Sequence, residues 1–81
     1  MMIEVQLFAR ARDIAGQARI TVALPDEATV GDLRRSLAEL LPSLARLLER
    51  SALAVDNELA GDALVLTSDA EVALLPPVSG G

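Results

Sequence analysis

The chain has 81 residues, 52% of them hydrophobic and almost all of those Leu, Ala and Val, with one Phe and no Trp or Tyr. This is the composition of one globular domain that buries roughly 60–65% of its unfolded surface, and it excludes a disordered chain. Zero Cys and zero His exclude a disulfide framework, a Cys-based zinc site, a cysteine nucleophile and a serine triad, while seven Arg against twelve acids give a net charge of −5 that disfavours nucleic acid and suits a basic protein partner.

Residues 2–10 alternate, with Ile3, Val5, Leu7 and Ala9 on one face and Glu4, Gln6, Phe8 and Arg10 on the other, the period of a half-buried strand. Phe8, the only aromatic side chain, falls by parity among the polar set. Residues 12–17 read as a connection, with Gly16 as its turn or cap residue. Ile20, Val22 and Leu24 alternate with Arg19, Thr21 and Ala23 in a second strand stopped at Pro25-Asp26. Two strands this close predict an antiparallel hairpin.

Thr29-Val30-Gly31-Asp32 is a helix-start signal: Thr29 can cap free N–H groups, and Asp32 suits the positive end of the helix dipole. Leu33, Leu37, Leu40, Leu41 and Leu44 then form one apolar stripe expected to face the core, and Arg34, Arg35 and Glu39 face away. Pro42 predicts a helix end near Leu40, and Ser43 is expected to cap a second short helix through about Arg50, with Leu44, Leu47 and Leu48 inward. Leu53-Ala54-Val55 reads as a short strand reaching a turn at Asp56-Asn57. Glu58, Leu59 and Ala60 follow, then the turn pair Gly61-Asp62, and residues 63–66 are expected to be extended. Residues 67–70 break the pattern, and residues 71–75 predict a last strand with Val72 and Leu74 on one face and Glu71, Ala73 and Leu75 on the other.

With the last strand parallel to the first, this order predicts an α+β fold, a ubiquitin-like β-grasp whose mixed sheet is covered by one main helix. The β-grasp domain is expected over residues 1–75 and an extended tail over 76–81. No basic, apolar leader precedes Glu4 and no apolar run approaches 18 residues, so a cytoplasmic protein without a membrane span is expected. Asp13, Asp56, Asp62, Asp69 and Glu71 fall singly at turns and match no metal-loop spacing. Phe8, Leu59 and Leu75 are large apolar side chains at otherwise polar positions, and parity points to one partner-binding patch. In the tail, Pro76 and Pro77 favour an extended exit, and Val78, Ser79, Gly80 and Gly81 end in glycines that pass where only backbone fits. A frayed terminus is the bland alternative.

Phe8-Ala9, Arg12-Asp13-x-x-Gly16, Thr29-Val30-x-Asp32-Leu33, Ala54-Val55 and Glu71-Val72-Ala73 running into Pro76-Pro77-Val78-Ser79-Gly80-Gly81 together resemble the small subunits of molybdopterin synthase, which are ubiquitin-like sulfur carriers. The resemblance implies that the Gly81 carboxylate is adenylated and then converted to a thiocarboxylate, the 1-thioglycine form, whose sulfur builds the dithiolene of molybdopterin on a cyclic pyranopterin precursor. It implies no cofactor bound by this chain, with ATP used by the activating enzyme. The implied partners are the synthase large subunit in a heterotetramer, that adenylating enzyme and a sulfur donor, with no nucleic acid and no membrane. Residues 76–80 would thread the large subunit's active site, and Phe8, Leu59 and Leu75 would form the apolar docking surface for both that subunit and the activating enzyme. A carrier for thiamine, cysteine or tRNA thiolation, a protein modifier, and a pure interaction module are the alternatives.

Overall fold

The computed structural model describes residues 1–77. Strand β1 (Met2–Leu7) pairs antiparallel with β2 (Arg19–Ala23), and the predicted hairpin is present. The connection is not a plain loop: residues 12–17 fall largely in helix α1 (Ala9–Ala15), which Gly16 closes at φ 72° while its N–H donates to the Arg12 carbonyl at 2.9 Å. Seven residues give two turns, and only Ala11 is buried among them. That is too little for an apolar period to register in sequence. Strand β1 accordingly ends at Leu7 and not at Arg10.

Helix α2 (Val30–Leu40) begins and ends where the Thr29 cap and Pro42 predict. Its first turn leaves none of its leading N–H groups free. Thr29 donates to the Asp32 carboxylate at 2.9 Å, and Asp32 returns a bond to the Thr29 hydroxyl at 3.2 Å. Val30 and Gly31 donate to the carbonyls of Leu64 and Asp62 at 2.9 and 3.0 Å. Backbone from the 61–66 loop therefore supplies acceptors to a helix end that has no intrahelical partners of its own. This is why residues 63–66 form no strand and keep only an isolated bridge between Thr29 and Val65. The approach favours glycine at position 31, where a Cβ would stand 3.2 Å from the Asp62 Cβ and 3.3 Å from its carbonyl oxygen and would push the loop back by a few tenths of an ångström.

Pro42–Leu44 is a single 3-10 turn that leads into helix α3 (Ala45–Arg50). Ser43 makes no capping bond, because Pro42 takes the first position of that turn. Leu33, Leu37, Leu44 and Leu48 are buried and Leu41 and Leu47 are half-buried, whereas Leu40 turns outward, 55% exposed. Arg34 ties these pieces together. It donates to the carbonyls of Leu48 and, at 2.9 Å, Ser51, and its Nε lies 3.2 Å from the Asp62 carboxylate.

Strands β3 (Ala52–Val55) and β4 (Glu58–Ala60) flank a two-residue turn in which Asp56 and Asn57 both have positive φ, 50° and 70°. That is the turn conformation whose twist matches a hairpin, and Asp and Asn tolerate it. Strand β5 (Glu71–Leu75) runs parallel to β1 on one side and antiparallel to β3 on the other, giving the order β2-β1-β5-β3-β4. Asp56 fixes where β5 begins: its N–H donates to the Glu71 carbonyl at 2.8 Å, and the Glu71 N–H donates back to its carboxylate at 3.0 Å. Ile3, Val5, Leu7, Val22, Leu53, Val72 and Leu74 form one buried sheet face against leucines of α2, the 3-10 turn and α3. The architecture is the predicted ubiquitin-like β-grasp, a mixed sheet with helices on one side only. Val78, Ser79, Gly80 and Gly81 of the expected tail lie outside the described residues.

Candidate functional site

The tail leaves the middle of the sheet. Leu75 is the last residue of a strand held on both sides, paired with Ala52 of β3 and preceded by Leu74 opposite Leu7 of β1. Pro76 follows half-buried and Pro77 exposed. A proline has no N–H for the ladder, so strand pairing stops there by chemistry. The root of the tail is thus anchored by a strand that is paired on both sides.

The uncovered face of the sheet carries the three apolar residues singled out in the sequence. Phe8 has extended backbone, φ −125° and ψ 157°, so it continues the parity of Glu4 and Gln6 before the chain turns into α1. The register places Gln6 beside Ala73 and Ala52 beside Leu75, and extending it past the last pair, Leu7 with Leu74, brings Phe8 level with Leu75. In the neighbouring row Gln6, Ala73, Ala54 and Leu59 lie side by side across four strands. With strands spaced by about 4.8 Å, Leu59 stands about 12 Å from Leu75 and Phe8 is nearer still. All three share the face opposite the helices, Phe8 44% and Leu59 74% exposed and Leu75 half-buried.

Between them lie Ala52, Ala54 and Ala73. These small side chains give the patch a low floor between three larger projections, and the residue-by-residue reading of the sequence passed over them. The signal was available as alanine at successive open-face positions of β3 and β5. Away from the tail the same face becomes acidic, with Glu4 and Glu71 side by side; among the described residues Arg19 pairs with Glu4 at 3.7 Å and no ion pair is made by Glu71. Adjacent like charges on neighbouring strands are unfavourable unless a cation meets them. A basic surface is the natural complement to that end of the face.

Asp13, Asp56, Asp62, Asp69 and Glu71 are dispersed, and among the described residues no group of three or more metal-ligating side chains comes together. Asp56, Asp62 and Asp69 instead make local bonds, to Glu71, Arg34 and Thr67. The shifted carboxyl is Asp32, held below its ordinary 3.8 first by the Thr29 backbone N–H, then by the Thr29 hydroxyl and by Arg35. It belongs to the cap of α2. No described helix is long and apolar enough to cross a membrane.

Comparison with known proteins gives the same architecture. The SAMP1 crystal structure from Haloferax volcanii superimposes with a TM-score of 0.89 at 30% identity, covering 100% of both chains. The molybdopterin synthase sulfur carrier subunit of Caenorhabditis briggsae is 37% identical over 81 residues, 98% of this chain and 96% of that protein. Small archaeal modifier protein 3 of Haloferax volcanii is 36% identical over 92 residues, covering both chains completely. The ThiS family model matches residues 5–81, from the first strand through both terminal glycines, and on that match this chain belongs to the ThiS family.

Proposed function

We propose that this chain is the sulfur-carrier subunit of molybdopterin synthase and that Gly81 carries the sulfur. The observation that supports this most is the family match running through Gly81, with relatives so named aligned over nearly their whole length. In the proposed sequence the Gly81 carboxylate attacks the α-phosphorus of ATP on an activating enzyme and pyrophosphate leaves. A donor supplying sulfur at the sulfide level then displaces AMP from the acyl carbon, so that one C–O bond breaks as a C–S bond forms. The resulting thiocarboxylate sulfur displaces an oxygen substituent from a carbon of the pyranopterin precursor, a C–S bond forming as that C–O bond breaks, and water then cleaves the acyl–sulfur bond, leaving the sulfur on the pterin and regenerating the Gly81 carboxylate.

The chain acts as donor and not as an enzyme on its own. With no His and no Cys it has no ordinary proton shuttle or sulfur nucleophile, so acid, base and substrate-binding groups belong to the large subunit. Its own contribution is geometric. The anchored end of β5 and the Pro76-Pro77 pair end the strand ladder at the root of the tail, and Phe8, Leu59 and Leu75 supply apolar docking area beside that root. We assign residues 1–75 to the docking domain and 76–81 to the delivered tail.

A chain extended by one alanine beyond Gly81 tests this, because the extension removes the reacting carboxylate and leaves the sheet intact. Loss of pterin sulfuration with retained binding to the large subunit is the expected result; full sulfuration with the extra residue still attached overturns the reading. A second reading, protein modification, draws support from the likeness to the archaeal modifier protein. It shares the adenylate and differs in the acceptor, an amine in place of the pterin precursor. Gly81-to-lysine adducts on other proteins, together with inactivity in pterin sulfuration, would decide for it.

A further inference from the structure

We propose that a second surface, a groove on the helical side of the tail root, docks an acidic segment of the protein that takes up the tail. The groove lies between α1, the 3-10 turn and α3 and holds about 1000 Å³. Its apolar lining comes from Ile14 and Leu47, and Pro76 and Pro77 form part of the same wall. Arg10, Arg46 and Arg50 also line it, against a single acid, Glu49. Three cations and one anion make a net +2 in a chain whose total is −5, so the sign of the groove is opposite to that of the molecule.

Folding alone does not account for this concentration of charge. Arg46 and Arg50 stand four residues apart on α3, a like-charge spacing that weakens a helix by a few tenths of a kcal/mol, roughly what an opposite pair would contribute. Among the described residues the side-chain ion pairs are made by Arg19, Arg34 and Arg35, and none of the three groove arginines joins one. The occupant that offsets these charges is anionic, and the apolar lining requires it to bring aliphatic side chains as well. A peptide segment alternating carboxylates with leucine-like residues meets both conditions. A nucleic acid meets only the first, and is repelled by the rest of an acidic surface.

Position identifies whose segment it is. Pro76 and Pro77 line the groove, so a protein that takes up the residues after them comes up against its edge, and Phe8 on the open sheet face is the immediate neighbour of Ala9, which lines the groove. The tail root is then held from both sides, by apolar contact on the sheet face and by charge on the helical face. This inference rests on the tail-delivery reading for the identity of the partner, and on the groove alone for its chemistry.

Titrating the isotope-labelled full chain with a blocked peptide alternating Glu and Leu, followed by backbone amide shifts, tests the chemistry without any pathway protein. Shifts are expected at Arg10, Ile14, Arg46, Leu47 and Arg50, absent with the Gln-for-Glu peptide. Binding is expected to be about tenfold weaker in Arg46→Ala/Arg50→Ala and unchanged in Arg19→Ala/Arg35→Ala, which alters net charge equally. Equal response to both peptides, shifts confined to the open sheet face, or unaltered binding by the groove variant overturns the site. Separately, Arg46→Ala/Arg50→Ala is expected to lower affinity for the synthase large subunit about tenfold at low salt and much less at high salt. Unchanged affinity there overturns the assignment of the partner, while failure of the sulfur-carrier reading itself appears only in the Gly81 experiments.

Discussion

Truncating Phe8 and Leu59 together to alanine separates docking from folding, because both side chains are exposed in the free chain. Leu59 is 74% and Phe8 44% exposed, so those fractions remain to be buried when a partner covers the face. Complete burial of a side chain of this size contributes about 2 kcal/mol. Scaling by the exposed fraction gives about 1.5 kcal/mol for Leu59 and about 1 kcal/mol for Phe8. The double variant should therefore bind the synthase large subunit about 2.5 kcal/mol more weakly, roughly a 50- to 100-fold rise in Kd. Folding should change by no more than about 0.5 kcal/mol at Leu59 and by about 1 kcal/mol at Phe8, whose ring is partly covered in the free chain, so the variant stays folded. Phe8 starts α1 with backbone alone and makes no side-chain capping bond, so the helix start survives the change. Leu75 is kept because it is half-buried, and removing it would mix docking with sheet stability. Calorimetric titration beside urea unfolding provides both numbers. A Kd within about threefold of the parent, with the variant folded at the titration temperature, would refute the assignment of this face as the docking surface.

Three further outcomes follow from the helices. Thr29→Ala removes the hydroxyl that accepts from the Asp32 N–H and should cost about 1 kcal/mol, read as a lower urea midpoint at unchanged slope. Asp32 has a folded-state pKa below 3.8, so its contribution is complete above that value and fades as pH falls through the folded pKa. Asp32→Asn should therefore melt below the parent at neutral pH, with the gap closing in acid below about pH 3.8; a gap that widened in acid would contradict the sign. Arg34→Met keeps the aliphatic stem and removes the donors to Leu48 and Ser51, taking the side-chain donor from the Ser51 carbonyl and leaving the Leu48 carbonyl with the Ser51 N–H. A loss of about 1–3 kcal/mol in urea unfolding is expected, with native-like binding at low temperature.

The parts of the fold legible in the sequence were those in which one chemical rule acts over many residues. Alternation over β1, β2 and β5 marked the buried face, the Thr29-Asp32 pair marked the start of α2, and Pro42 marked its end. Helix α1 was illegible because two turns with one buried alanine carry no period. Residues 63–66 read as extended because their composition is apolar, but their backbone is bonded to the first turn of α2 and not to the sheet. Leu40 belongs to the leucine stripe by spacing, yet the 3-10 turn at Pro42 redirects the chain and leaves it outside the core. At the candidate site, parity places Phe8 and Leu75 on the open face, whereas Leu59 stands out only as a leucine in a polar stretch and joins them through the β3–β4 register. The alanine floor between them, and the three arginines drawn to one groove from α1 and α3, depend on packing between elements far apart in sequence, which local spacing does not record.

The most direct test of the central claim is the intact mass of the purified chain after incubation with ATP, the activating enzyme and a sulfur source. The account predicts a gain equal to the replacement of one oxygen by sulfur, localised by fragmentation to Gly81 and discharged when the large subunit and pterin precursor are added. An unchanged mass at Gly81 while the pterin nevertheless acquires sulfur from the same mixture would contradict it.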